Sequence, residues 1–92
     1  MKMVKSQILG EIDSALQACR AELERLPADK ALKNECSALE SIHTKVLDHW
    51  PLTSEERARI NIGLYAIREL EGINEDLAAQ MATLEAHLTR ES

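Results

Sequence analysis

The 92 residues are 45% hydrophobic and 29% charged, which fits a single small domain (1–92) whose core is only just large enough to fold alone. A net charge of −5 argues against nucleic acid, whose phosphates need a basic face, and against an anionic membrane surface. It is compatible with a basic protein partner, for which acidic charge assists encounter, and equally with a domain merely kept soluble.

Three glycines and two prolines leave few turns, so the expected fold is all-α: a small antiparallel bundle of four helices at about 4–26, 29–49, 53–71 and 74–89. The stretch Met1–Gly10 starts basic but lacks the apolar region of an export leader. No apolar run approaches the ~20 residues of a membrane span, so the chain reads as cytoplasmic. In the first helix Val4, Ile8, Ile12, Ala15, Leu16, Cys19, Leu23 and Leu26 recur at helical spacing, and Pro27 stops it.

Asp29 is placed to cap the second helix, whose face is Leu32, Cys36, Leu39, Ile42, Val46 and Leu47. Pro51 ends it and disfavours helical backbone at Trp50. The short connection at Pro27 makes the first two helices antiparallel, which brings Cys19 and Cys36 level.

The third helix starts at a capping box, Thr53-Ser-Glu-Glu56, supported by a Glu55–Arg59 pair, and Gly72 is placed to end it. Wound as a continuous helix, Ile62, Ile73, Ala66, Leu70, Gly63, Ile67, Ile60 and Leu64 cover an arc of roughly 200°, about twice an ordinary core stripe. Such a helix either sits centrally among others or offers a face to a partner, and a central position is the expectation. The remaining polar strip holds Arg57, Asn61 and Arg68, with Tyr65 and Glu69 at its margin. Gly63 costs about 1 kcal/mol of helix propensity relative to Ala. Either another backbone approaches closely there, or the glycine is simply tolerated. Asn74 caps the fourth helix, along which Leu77, Met81, Leu84 and Leu88 follow.

No constellation points to catalysis. Two cysteines on apolar faces in a cytoplasmic chain are expected to be reduced core residues, although a disulfide across the hairpin is the alternative. His43, His49 and His87 have no spacing that builds a zinc site. Glu69, Glu71, Glu75 and Asp76 cluster at a helix junction where solvation is the ordinary state. No phosphate loop and no nucleophile arrangement is present, so the expectation is a non-enzyme without metal or cofactor. Trp50 either closes one end of the core or serves as a binding anchor; Tyr65 is the better placed for a surface contact.

The segments Ile12–Leu16, Leu23–Pro27, Glu35–Asp48, Arg59–Leu70 and Glu75–Leu77 stand in an order that resembles a family of small helical bacterial immunity proteins. These neutralise type VI secretion effectors, the best known being an NAD(P)+ glycohydrolase toxin. The most specific part is Arg59–Leu70, where Gly63, Ala66 and Glu69 fall as in the family. The resemblance implies stoichiometric binding of a cognate effector toxin domain and occlusion of its active site. Candidate contact residues are Trp50, Asn61, Tyr65, Arg68, Glu69 and Glu71. The alternative is a self-associating module, a homodimer joined through the surplus apolar face of the third helix or through the Leu77–Leu88 stripe.

Overall fold

The computed structural model describes residues 3–90, so the first two residues of the amino-terminal stretch lie outside it. The all-α expectation holds. Two long helices come first, α1 (Lys5–Arg25) and α2 (Lys30–Asp48). Asp29 caps α2 as anticipated, its side chain accepting from the Leu32 amide at 2.9 Å.

The third segment is helical but not continuous. It divides into α3 (Ser54–Ala58) and α4 (Ile62–Glu69). The capping box forms in full: Glu56 N–H donates to Thr53 Oγ1 at 3.2 Å, and Thr53 N–H donates to Glu56 Oε1 at 2.9 Å. The Glu55–Arg59 pair closes at 2.7 Å. The helix then tightens, with the amides of Arg59 and Ile60 bonding three residues back, and Asn61 leaves helical geometry at φ −140°. The cause lies in Ile60-Asn61-Ile62-Gly63. Two β-branched residues, an asparagine and a glycine follow one another, and each is a poor helix former. α4 also stops earlier than expected: Leu70 is its C-cap, and Gly72 lies in the following turn without a positive φ.

Asn74 opens α5 (Glu75–Arg90) by accepting from the Leu77 amide at 3.0 Å. The four long elements form a closed ring of antiparallel neighbours. α1 packs on α2, α2 on α4, α4 on α5 and α5 back on α1, while α3 is a short adjunct against α5. Polar side chains fix the α1–α5 register along its length: His87 Nδ1 meets Glu11 at 2.7 Å, Gln80 donates to Ser14 at 3.3 Å and Asn74 donates to Glu22 at 3.1 Å. The core between them is aliphatic, with Ile8, Ile12, Leu32, Leu39, Ile62, Leu70, Met81 and Leu84 among its closed side chains.

Candidate partner-binding surface

α4 presents two large apolar side chains beyond what the core uses, where α2 presents Leu47 and the start of α1 presents Val4. Ile62, Gly63, Ala66 and Leu70 are buried, but Leu64 is 57% exposed and Ile67 47%. This overturns the expectation that the wide apolar arc is enclosed by a central position. The arc assumed an unbroken helix. After the break at Asn61, α4 packs chiefly on α5 and only lightly on α2, so one edge of the arc is covered and the other faces outward.

Gly63 is settled by its surroundings. A Cβ there would stand 2.8 Å from Ala82 Cα and 3.2 Å from the Met81 carbonyl oxygen, so the glycine admits the α5 backbone. The break also deprives Gly63 N–H of its helical acceptor, and Glu85 Oε1 takes that bond at 2.9 Å. A carboxylate at the first turn of α4 suits the positive end of the helix dipole.

The residues proposed from sequence fall into three groups. Asn61, Tyr65 and Arg68 recur at steps of four and three along α4, on the side that also carries Leu64. Asn61 and Arg68 are exposed, and Tyr65 is half-buried because its hydroxyl accepts from Asn34 of α2 at 3.0 Å. Glu69 and Glu71 are exposed at the turn into α5, the end of the bundle where Asn74 meets Glu22. Trp50 lies at the other end, half-buried against the core, its indole N–H donating to the Met3 carbonyl at 2.9 Å. The structure therefore brings Asn61, Tyr65, Arg68 and Glu69 onto one helix, whereas Trp50 sits in the connection between α2 and α3.

Beside the break a cleft of about 140 Å³ opens between α2 and the start of α4. Ile42, Leu52 and Ile62 line it, with Lys45, Glu56 and Asn61 around them. The Glu56 charge is engaged: His49 Nε2 lies 2.6 Å away, and its hydrogen bond, with the Thr53 amide, holds the carboxyl down at about 2. The same bond, aided by Asp48, raises His49 above the usual imidazole range.

Two features escaped the sequence reading. The period alone places Leu64 and Ile67 within the enclosed arc, and only the weak helix formers at 60–63 signal a break that leaves them outward. Glu35 was not singled out, yet it is 2% exposed on the inner face of α2 and its Oε2 has no hydrogen-bond partner among the described residues. Its spacing carried the signal, three residues after Leu32 and four before Leu39. Burial, with the nearby Glu85 charge, pushes its carboxyl up to about 8.

The Leu77–Leu88 stripe, considered for self-association, is consumed internally: Leu77, Met81, Leu84 and Leu88 are all buried. Among the described residues no helix is long and apolar enough to cross a membrane, and no group of three or more His, Cys, Asp or Glu residues is placed to hold a metal ion.

The chain has no match at significant similarity among curated proteins or solved structures. A family model described as Tsi6 matches residues 7–90, a span that takes in all but the first two residues of α1 and the whole of α2 to α5. With nearly its full length covered, the chain belongs to the Tsi6 family of type VI secretion immunity proteins.

Proposed function

We propose that this protein neutralises a cognate effector toxin by binding its catalytic domain one-to-one and covering the substrate cleft, without chemistry of its own. The observation that carries the reading beyond family membership is the outward edge of α4. Two large aliphatic side chains, Leu64 and Ile67, stand exposed side by side, flanked on one side by the strip of Arg68, Asn61, Tyr65 and Glu69. An apolar centre with a polar rim is the ordinary anatomy of a protein interface. A standard interface needs ~800 Å² from each partner. That is about one-seventh of the 5458 Å² surface of this chain, so contacts extend beyond α4 to its flanks. Glu69 and Glu71 would meet basic groups of the toxin, which suits a cleft that binds a phosphate-bearing substrate such as NAD(P)+. The NAD(P)+ assignment rests on the sequence resemblance, of which Arg59–Leu70 is the most specific part. Trp50, in the connection between α2 and α3, stands at the end of the bundle opposite Glu69 and Glu71.

The test begins with the effector encoded beside this gene. Purified toxin domain should consume NAD+ and lose that activity at an equimolar ratio of this protein. Leu64→Arg and Ile67→Glu should each weaken the complex by about 100-fold or more, as expected for central anchors, while leaving the thermal midpoint nearly unchanged. Tyr65→Ala and Glu69→Arg should cost less. Full inhibition by both anchor variants would remove α4 as the contact surface. Failure of the wild-type chain to bind the toxin would remove the inhibitory reading itself. The exposed pair also suits a second copy of this chain, and light scattering separates the two: a monomer at high micromolar concentration leaves the apolar edge to the toxin.

A further inference from the structure

The α1–α2 hairpin carries a chemical feature that partner binding does not use. Cys19 on α1 and Cys36 on α2 are both free and buried, and their sulfurs stand 3.1 Å apart. Cys36 Sγ donates to Cys19 Sγ, and Cys19 Sγ donates onward to the Leu32 carbonyl at 3.5 Å. Aliphatic residues fill the neighbouring layers of the same faces, such as Ile12, Leu16, Leu32 and Leu39, so packing alone gives no reason for two thiols in register. A disulfide of about 2.05 Å requires the sulfurs to close by only about 1 Å.

We propose that Cys19 and Cys36 are an oxidative modification site, at which hydrogen peroxide forms a reversible disulfide that staples α1 to α2 and leaves the α4 surface in place. Cys36 is the sulfur that meets the oxidant, being 5% exposed where Cys19 is fully closed. Its sulfur attacks one peroxide oxygen and the O–O bond breaks. The departing hydroxide takes the thiol proton as water, leaving Cys36 as a sulfenic acid. The Cys19 sulfur then attacks the Cys36 sulfur and the S–O bond breaks. The hydroxide released takes the Cys19 proton as a second water. In sum, two thiols surrender two protons and two electrons, and one peroxide becomes two waters.

The order of events follows from the surroundings. Burial, the Cys36 hydrogen bond and nearby acidic charge raise the Cys19 thiol far above its ordinary range, so Cys19 does not start the reaction. Its position 3.1 Å away lets it capture the sulfenic acid before further oxidation. The proposal is independent of which toxin α4 meets.

The test uses the full chain, treated native with millimolar hydrogen peroxide, then denatured, alkylated and mapped by mass spectrometry. The expected product is a Cys19–Cys36 linked peptide, lighter by two hydrogens, refractory to alkylation and restored by dithiothreitol. Closing a loop between residues 17 apart should raise the thermal midpoint by about 10 °C. Cys19→Ala should accumulate a sulfenic acid on Cys36 that dimedone traps, and Cys36→Ala should leave Cys19 reduced. The wild-type map decides the matter even if a variant folds poorly. Full alkylation of both cysteines after peroxide would overturn the proposal, as would sulfinic acid on Cys36 without a linked peptide.

Discussion

Two residues show how much of this fold is decided at single positions. Gly63 permits the closest approach between α4 and α5, and a methyl group there would collide with Ala82 Cα. Gly63→Ala gains about 1 kcal/mol of helix propensity but forces two packed backbones apart, an overpacking cost of about 1–3 kcal/mol. The obstacle is backbone rather than a flexible side-chain end, so net destabilisation is expected, measured as a lower urea midpoint. An unchanged midpoint would mean that α4 is free to lift from α5. Glu35 gives stability a pH dependence of definite sign. Its carboxyl titrates at about 8 when folded, against an ordinary 4.5. Below the ordinary value both states are protonated and nothing changes. Between the two values the folded chain holds a proton that the unfolded chain has lost, so stability falls as pH rises, by at most about 1.4 kcal/mol per pH unit. Above the folded value the loss is complete. Glu35→Gln removes this slope, and its advantage over the wild type should grow as urea unfolding is repeated at rising pH through that window. A constant difference would show that Glu35 titrates normally.

At the scale of elements, what the sequence made legible was what local chemistry controls. Asp29, Thr53 and Asn74 sit at helix starts because each can satisfy a backbone amide, and all three do so. The long helices follow from period and from the two prolines. The break at Asn61 was not foreseen, because the apolar period runs through it undisturbed and the opposing signal is a sum of modest propensities at Ile60, Asn61, Ile62 and Gly63. The same difference decides Leu64 and Ile67, which a continuous, centrally placed helix encloses and the broken one presents. Tyr65 and Arg68 are legible as a polar margin at either register, and the structure keeps them on the outer side of α4. Trp50 stands out by residue type, and its bond to the Met3 carbonyl depends on tertiary geometry that no local pattern encodes. Asn74 offers an element-scale test, because it caps α5 and also donates to Glu22 across the α1–α5 seam. Asn74→Ala should cost about 1–2 kcal/mol, more than a cap alone, while Asn74→Asp should keep the cap and lose the donor. Equal losses in the two variants would assign the whole effect to the seam.

The whole molecule is two helical hairpins, α1–α2 and α4–α5, closed into one ring. Neither has a private core: Ile8 and Ile12 of α1, Leu39 of α2, Ala66 of α4 and Met81 of α5 belong to a single buried cluster. A chain of this size has a net stability of about 5–15 kcal/mol, so a core that served the hairpins separately would leave each marginal. Shared burial predicts one cooperative transition. Leu39→Ala on α2 and Leu84→Ala on α5 remove fully closed side chains from opposite hairpins, and each should cost about 2–5 kcal/mol. The chain supplies two independent readouts. Trp50 is its only tryptophan and reports the junction after α2, whereas far-ultraviolet dichroism reports all the helices. In the wild type and in both variants the two signals should lose their native values at one shared midpoint. If Leu84→Ala moved the dichroism midpoint ahead of the Trp50 midpoint, the α4–α5 hairpin would be opening first. The α4 surface would then ride on the weaker half of the fold, and toxin binding should restore the single transition by its linkage to the native state.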